Sequence, residues 1–372
     1  MKSRLLAQEP ELGFGYMRLP HINGNIDLDA ANQMVDTFLS YGFTYFDTAY
    51  SYPGAEEALR ESLVKRHKRD SFEIATKLYI PNIEKPEQQK EQFETSLTRL
   101  GVDFVDFYLI HDLYGKIINK AYELNTWDFM KQLKKEGYVK HIGFSFHGTA
   151  EELEGVLSRN PELEFLYLQI NYLDWNDRRV QSRLCYEIAR KYKKPIFVME
   201  PAKGGLLAGN ESDSANLLKQ VNPDASVASW AFRFAGGLEG VTTVLSGMGT
   251  IKQINDNANT FRNFKRLSQK ENDSISEAVS LINSIPRIPC TSCRYCMPHC
   301  PQKIWIPQII EDYNDLLIHK TVDYMKFKYK VTMMGVSGTQ MKDCTKCRKC
   351  EEHCPQHIKI SEIIQEMADR IN

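Results

Sequence analysis

The chain has 372 residues, of which 42% are hydrophobic, and 47 Lys plus Arg against 48 Asp plus Glu give a formal net charge of −1. This length predicts two or three domains, or one barrel with an additional domain. The balanced charge argues against a nucleic-acid partner and against an anionic membrane surface. The N-terminal segment lacks the apolar core of a signal peptide, and no run approaches the ~18 apolar residues of a membrane helix. We therefore expect a cytoplasmic protein.

Short apolar runs alternate with longer segments of helical period from residue 12 to about residue 260. The predicted strands cover residues 12–17, 43–47, 72–77, 105–111, 141–146, 165–171, 196–200 and 241–246. The predicted helices cover residues 27–41, 54–68, 85–100, 126–136, 149–158, 178–192, 226–234 and 250–260. Such an alternation over about 250 residues is typical of a (β/α)₈ TIM barrel. No Gly-rich dinucleotide loop follows the first strand, which argues against a Rossmann sheet.

A helix and a proline-rich linker follow the predicted barrel. Ser268 and Glu271 have the spacing of a capping box that opens a helix running to about residue 284. Two prolines in the sequence IPRIP then end the helix. We predict a barrel over residues 1–265, a linking helix and linker over 266–289, and a small, mainly helical domain over 290–372.

Eight of the nine cysteines lie in two copies of the spacing C-x2-C-x2-C-x3-C-P. The first copy consists of Cys290, Cys293, Cys296 and Cys300, and the second of Cys344, Cys347, Cys350 and Cys354. This repeat predicts a ferredoxin-like domain with two 4Fe-4S clusters, in which the fourth cysteine of each copy binds the other cluster. The 43 intervening residues include a predicted helix over 306–319, so the domain resembles the helical dicluster modules of large oxidoreductases.

Zinc and disulfides are the alternatives for these cysteines. Zinc sites usually contain separated C-x2-C pairs, and a reducing cytoplasm argues against disulfides. The ninth cysteine, Cys185, lies in the middle of a predicted helix and is interpreted as a buried residue without chemistry.

Four ionisable residues occur at or just after the ends of three successive predicted strands: Asp47, Tyr52, Lys77 and His111. Catalytic groups of TIM barrels lie at the C-terminal ends of the strands, so these side chains are predicted to converge on one mouth. The motifs FDTAYSY, IATKL and YLIHD around them resemble the aldo/keto reductase family over residues 12–262.

The resemblance implies reduction of a carbonyl or oxidation of an alcohol. A phenol with a pKa near 10 is a weak acid at pH 7, and a nearby ammonium lowers that pKa. By resemblance, Tyr52 is the general acid, Lys77 its electrostatic partner, Asp47 the anchor of Lys77, and His111 the residue that orients the substrate oxygen. The alternative is that Asp47 and Lys77 form only a buried ion pair, with Tyr52 and His111 lining the mouth.

The resemblance also implies residues that hold a nicotinamide ring. Ser145 and Gln169 match the family pattern, whereas Phe146 stands where Asn is usual and Met199 where a stacking Tyr is usual.

The resemblance likewise implies residues that contact the phosphates and the adenosine of the dinucleotide. Gly205, Ser246 and Gly247 suit a phosphate-binding loop, and Gln253 and Asn257 match the adenosine contacts. Thr250 stands where the family has a Lys or Arg for the 2′-phosphate, so both NADP and NAD stay open, with Lys252 and Lys203 as alternative cations.

Together these features predict a cytoplasmic iron-sulfur oxidoreductase that interconverts a small-molecule carbonyl and an alcohol, with its clusters connected to a partner redox protein. Clusters pass single electrons, whereas nicotinamide transfers two as hydride, and a flavin in the barrel mouth would connect the two. The alternative function is a redox-sensing or electron-transfer docking protein whose nucleotide-binding barrel does not turn over a carbonyl.

Overall fold

A computed structural model of the chain describes residues 4–210, 212–290, 293–319, 322, 325, 326, 329 and 340–371. The chain divides into two compact units. The first contains Met1–Ala202 and Ala228–Gln269, and the second contains Lys203–Val227 and Lys270–Asn372.

The first unit is built on a closed parallel barrel. The strands of the described residues are β1 Glu11–Gly15, β2 His21–Ile22, β3 Asn25–Ile26, β4 Tyr45–Asp47, β5 Glu73–Leu78, β6 Val105–Leu113, β7 Val139–Phe146, β8 Phe165–Gln169, β9 Ile196–Met199 and β10 Val241–Ser246. The barrel order is β1, β4, β5, β6, β7, β8, β9 and β10, which pairs again with β1. Every strand predicted for the barrel is present, so the predicted (β/α)₈ fold is confirmed.

Helices follow the strands. Those of the described residues are α1 Leu28–Ser40, α2 Ala55–Leu59, α3 Glu87–Leu100, α4 Gly115–Glu123, α5 Thr126–Lys135, α6 Ala150–Arg159, α7 Ser182–Lys191, α8 Asp213–Val221, α9 Val227–Gly236, α10 Ile251–Arg262, α11 Gln269–Ser284, α12 Ile306–His319, α13 Lys349–Glu352 and α14 Ile360–Ile371. Within these described stretches, no helix is long and apolar enough to cross a membrane.

Among the helices and strand pairs given above, five were not predicted individually from the sequence: the β2–β3 hairpin, α4, α8, α13 and α14. The hairpin turns at Asn23 and Gly24, whose φ angles of 52° and 83° suit the mirror-image turns that close two-residue hairpins. Helices α4 and α8 have nine residues each, a length at which a helix depends on packing against its neighbours rather than on its own sequence.

A layer of aromatic side chains fills the barrel. Tyr45, Phe107, Phe165 and Phe197 point inward and are at most 1% exposed, with ring centroids 5.0 to 5.7 Å apart. The lack of a side chain at Gly143 on β7 makes room for one of these rings. A Cβ atom at Gly143 would lie 2.5 Å from the carbonyl oxygen of Phe165 and 2.8 Å from its ring.

The second unit has a separate core, in which α12 and α14 pack together around the cysteine motifs. The side chain of Asn314 fixes the proline-rich linker ahead of Cys290, since it accepts from Ile288 N at 2.7 Å and donates to Ile288 O at 3.0 Å. Helix α12 has the bounds that the sequence predicted, and α11 begins one residue after Ser268.

We expect Gly143→Ala to destabilise the barrel by about 1–3 kcal/mol, because the added methyl group collides with backbone on the adjacent strand. Urea unfolding followed by tryptophan fluorescence measures this change. The matched control is Gly155→Ala in α6, where a Cβ atom has nothing within 4 Å and alanine favours the helix. Equal stability of the two variants would contradict the packing argument.

Candidate active site and cluster site

The alternation of side chains along each strand explains which polar groups meet at the barrel mouth. Inward-facing residues of a strand are two positions apart. Each candidate residue therefore lies two positions after the inward residue of its strand that belongs to the barrel core, toward the C-terminal end of the strand. The inward pairs are Tyr45 and Asp47 on β4, Ala75 and Lys77 on β5, Leu109 and His111 on β6, Tyr167 and Gln169 on β8, and Phe197 and Met199 on β9.

A buried ion pair lies at the base of the mouth. Lys77 Nζ donates to both carboxylate oxygens of Asp47, at 2.8 and 2.7 Å, and to the carbonyl oxygen of Thr48 at 2.7 Å. Lys77 is 2% exposed and Asp47 is 5% exposed. Burial lowers the pKa of Lys77 and raises the pKa of Asp47, while each partner opposes the shift in the other. The three acceptors use the full donor capacity of the ammonium group.

Tyr167, which the sequence analysis did not single out, supplies a further hydrogen bond to this pair. Its hydroxyl donates to Asp47 Oδ1 at 2.9 Å and lies 2.5 Å from the hydroxyl of Tyr45. Both phenols are buried. The available signal was the period of β8, since Tyr167 lies two residues before Gln169 and therefore faces inward with it.

Tyr52 lies beside Lys77, whose Nζ atom is 5.2 Å from the centroid of the tyrosine ring. The structure does not give the expected lowering of the pKa of Tyr52: burial, and next the charge of Asp47, raise this pKa instead. The reason is geometric: Asp47 neutralises the ammonium group at 2.7 Å. Tyr52 therefore carries its proton at neutral pH and is available as a donor.

His111 lies at right angles to Tyr52, with ring centroids 5.6 Å apart and an interplanar angle of 81°. Its Nδ1 atom lies 3.1 Å from Ser51 Oγ. Burial, and next the charge of Lys77, lower the pKa of His111 well below its usual value, so the ring is neutral at pH 7. When Ser51 donates to Nδ1, the proton of the neutral ring is on Nε2.

Charged groups occupy the strand ends around this site. Asp112 has a φ of 56° and Glu200 a φ of 55°, which are left-handed conformations that non-glycine residues seldom adopt. His147 Nε2 lies 3.8 Å from Asp112 Oδ1, and an Arg18 nitrogen lies 3.9 Å from Glu200 Oε1. Arg18 and Glu200 both act electrostatically on Tyr52, so they belong to the same neighbourhood. No motif singled out Arg18, Glu200 or His147.

The predicted nicotinamide contacts are on three adjacent strands. Ser145 Oγ accepts from Asp112 N at 2.8 Å, and Gln169 Nε2 donates to Asp174 Oδ2 at 3.0 Å. Met199 is the register partner of Gln169. The backbone carbonyl oxygen of Gln169 accepts from Ser182 Oγ at 2.7 Å.

The predicted phosphate loop follows β10. Asn257 Nδ2 donates to Ser246 Oγ at 3.0 Å, and Gln253 Oε1 accepts from Gly249 N at 2.8 Å. A Cβ atom at Gly247 would lie 2.7 Å from Cδ of Arg18, so the side chain of Arg18 lies over the loop.

The structure brings together Ser246, Gly247, Gln253 and Asn257, and it adds Arg18 to them. Gly205 lies in the second unit, where its φ of 109° suits glycine alone.

The second unit contains a pocket whose lining includes Cys290, Cys293, Cys296 and Cys354. These are the three leading cysteines of the first motif and the last cysteine of the second, as predicted for one cluster. Cys300, the last cysteine of the first motif, is correspondingly close enough to Cys350 to interact electrostatically. Thiolate sulfur is the usual ligand of iron-sulfur clusters, so the chemistry of this set of side chains fits such a cluster.

Across the described stretches of the chain, no three His, Cys, Asp or Glu side chains are placed to hold a single metal ion. Cys185 is buried in the first unit, and burial raises its pKa to about 12, as expected for an unreactive thiol.

Several curated proteins are similar to part of the chain. It is 32% identical over 212 residues to the aldo-keto reductase str7 of Strobilurus tenacellus, covering 54% of this chain and 60% of that protein. It is 30% identical over 178 residues to the aldo-keto reductase MT3049 of Mycobacterium tuberculosis, covering 47% of this chain and 56% of that protein. These matches therefore span less than two thirds of either relative.

Solved structures share the fold. The aldo-keto reductase AKR11C1 from Bacillus halodurans in its holo form has a TM-score of 0.58 at 24% identity and covers 72% of this chain and 91% of that chain. An aldo-keto reductase from Klebsiella pneumoniae in complex with NADPH has a TM-score of 0.59 at 20% identity and covers 72% of this chain and 90% of that chain.

Two family models match successive parts of the chain. The aldo/keto reductase family model covers residues 11–280, and the 4Fe-4S dicluster domain model covers residues 289–358. The first match spans more than half of the chain and includes the whole barrel with its buried Lys77 and Asp47. The chain therefore belongs to the aldo/keto reductase family and has a C-terminal 4Fe-4S dicluster domain.

Proposed function

We propose that this protein is an iron-sulfur oxidoreductase that interconverts a small-molecule carbonyl and an alcohol, using NADP(H) and two 4Fe-4S clusters. The observation that carries the proposal is the site at the barrel mouth. A protonated phenol, Tyr52, and a neutral imidazole, His111, stand at right angles beside the buried pair of Lys77 and Asp47.

Each residue of this site has a proposed role. Tyr52 donates its proton to the oxygen of the substrate carbonyl as negative charge develops there. His111, with its proton on Nε2, donates a second hydrogen bond that orients the same oxygen. Lys77 stabilises the tyrosinate that remains, and Asp47 with Tyr167 holds the ammonium group in place. The low dielectric of the buried site strengthens these interactions.

The proposed dinucleotide contacts lie on the strands that follow. Ser145 and Gln169 would hold the carboxamide of the nicotinamide, and Met199 would pack against the ring. When bound, a reduced nicotinamide supplies a hydride to the carbonyl carbon.

On the phosphate side, Ser246, Gly247, Gln253 and Asn257 would contact the pyrophosphate and adenosine. Arg18, which lies over Gly247, supplies positive charge beside this loop. The NADPH of the Klebsiella pneumoniae reductase supports NADP as the dinucleotide.

The C-terminal domain would hold two clusters. Cys290, Cys293, Cys296 and Cys354 would bind one, and Cys344, Cys347, Cys350 and Cys300 the other. Such clusters pass one electron at a time, so a flavin in the barrel mouth would provide the conversion to two-electron chemistry. A cytoplasmic location, where thiols stay reduced, suits this ligand set.

Replacing Tyr52 tests the proposed reaction. We expect Tyr52→Phe to lower kcat/KM for reduction of a panel of aldehydes by NADPH at least ~100-fold, because the general acid is lost. The loss of absorbance of NADPH measures the rate. The matched control is Tyr50→Phe, two residues earlier on the same loop, where the ring stacks with Arg99 and its hydroxyl has no proposed role. Unchanged turnover in Tyr52→Phe would exclude the proposed role of this residue.

The buried neutral state of His111 predicts a dependence of stability on pH. In the unfolded chain the imidazole of His111 takes up a proton near pH 6.5, whereas in the folded protein its pKa is well below that value. The unfolded state thus binds more protons below pH 6.5, and the free energy of unfolding falls as the pH decreases from about 7 to 5.

His111→Gln is expected to remove up to about 1.4 kcal/mol per pH unit of this loss, measured by urea unfolding at both pH values. His21→Gln, at an exposed site in the β2–β3 hairpin, is the control. A wild-type slope in His111→Gln would show that His111 is not the group responsible.

Iron analysis of anaerobically purified protein tests the cluster proposal. Two four-iron clusters correspond to roughly eight irons per chain, and Cys354→Ala should lower this value by weakening the cluster of the first motif. Cys185→Ala should keep all of the iron. A content of one or two metal ions per chain would contradict two clusters. The same sample shows a flavin, if one is bound, by absorption peaks near ~370 and ~450 nm.

A further inference from the structure

The charges of the second unit are segregated. The two cysteine loops, residues 287–303 and 342–349, contain seven Lys or Arg residues and one acid, Asp343. The helices behind them are acidic, since residues 306–319 contain three acids and no Lys or Arg. The domain as a whole is therefore balanced, while its cluster-binding loops are cationic.

One part of these loops combines positive charge with an exposed cluster ligand. Lys346, Cys347, Arg348 and Lys349 are four consecutive exposed residues, which we name the KCRK surface. The side chain of Arg348 is 66% exposed, and one of its guanidinium nitrogens lies 4.0 Å from Oε1 of Glu362. Cys347 is one of the two cluster cysteines that are exposed, the other being Cys293. An exposed ligand marks the side from which another redox group can approach most closely.

The backbone of this surface adds an independent argument. Lys346 has a φ of 54° and Arg348 a φ of 59°, in the left-handed region where glycine has no steric cost and other residues do. Arg294 occupies the position equivalent to Arg348 in the first motif, with a φ of 64°. A basic side chain at these backbone positions does not make the loops more stable than glycine would. What the basic residue adds at such a position is its positive charge.

Two neighbouring acids, Asp343 and Glu351, do not neutralise the positive charge that the KCRK surface presents to solvent. Glu351 Oε1 accepts from Ser361 N at 2.8 Å, and Asp343 Oδ2 accepts from Gln340 N at 2.8 Å. Both carboxylates thus satisfy the backbone of their own unit.

We propose that the KCRK surface is the docking site of an acidic one-electron carrier protein. This inference rests on the proposed function, whose clusters need an external electron source or acceptor. In the step, the reduced carrier would lose one electron, and the cluster that Cys344, Cys347, Cys350 and Cys300 would hold would gain it. No bond is formed or broken and no proton moves. Complementary charge accelerates such encounters by 10- to 1000-fold at low ionic strength.

The experiment uses the cluster-loaded full chain and reduced plant-type ferredoxin, an acidic carrier, mixed anaerobically by stopped flow. The variants are Arg348→Gly, which removes a charge where the backbone suits glycine, and a triple variant with Lys346→Gln and Lys349→Gln added. We expect the rate constant of cluster reduction to fall about threefold in the single variant and at least about tenfold in the triple variant, with a weaker dependence on ionic strength. Calorimetric titration with oxidised ferredoxin measures binding with no electron transfer. It should show that these variants lose affinity in the same order.

A control variant tests the position of the surface. Lys193→Gly removes an exposed cation with a φ of 52° from the first unit. This variant should stay near the wild-type rate. A loss in the control that matches the triple variant would overturn the assignment, as would a wild-type rate in the triple variant.

Two further measurements separate docking from other effects. Dithionite, a small reductant, should reduce the clusters of all variants at the same rate, and slower reduction of the triple variant would indicate damaged clusters and contradict docking. Tighter binding of phosphatidylserine vesicles than of ferredoxin at equal ionic strength would assign the surface to a membrane instead. Tyr52→Phe should accept electrons from ferredoxin at the wild-type rate, so failure of the carbonyl chemistry and failure of docking give different results.

Discussion

The buried ion pair between Lys77 and Asp47 is the interaction on which the mouth of the barrel depends. Removing two ions from water costs several kcal/mol for each, and attraction between them offsets this cost only when the geometry is close and the remaining donors and acceptors are satisfied. Both conditions hold here. Lys77 makes three short hydrogen bonds, and the hydroxyl of Tyr167 completes the shell of Asp47. The pair can therefore stay charged beneath Tyr52.

This pair also determines how acidic Tyr52 can be. An isolated ammonium would lower the pKa of the phenol, yet Asp47 cancels most of that field, and burial raises the pKa instead. Tyr52 is thus prepared to donate a hydrogen bond, and in the proposed reaction a lower barrier to proton transfer has to come from charge that develops on the substrate. Neutral His111 fits the same scheme, since a protonated ring beside Lys77 would add a second positive charge to a buried site.

In the proposed function, the two units supply two kinds of redox chemistry. The barrel mouth would move a proton together with a hydride, whereas the cysteine loops would bind groups that exchange single electrons. Their surroundings differ accordingly. The ion pair of Lys77 and Asp47 is removed from water, while each cysteine motif leaves one cysteine exposed beside a basic residue, as at Cys347 and Arg348. Burial favours selective chemistry on a small molecule, and exposure favours exchange with a large partner.

The sequence by itself determined the fold class, because eight apolar runs alternating with helical segments are compatible with few architectures. It also determined the inward register of Asp47, Lys77 and His111, since alternation along a strand is a local property. The cysteine spacing likewise predicted an exchanged fourth ligand, and Cys354 lines the same pocket as the first motif.

Only the tertiary structure decided which groups finally share the site. Tyr167 and Asp47 are 120 residues apart in the chain, and Arg18 meets Gly247 only because β1 and β10 close the barrel. The shift in the pKa of Tyr52 could not be predicted for the same reason. It depends on burial and on distances between side chains from different strands, which a local pattern of residues does not contain.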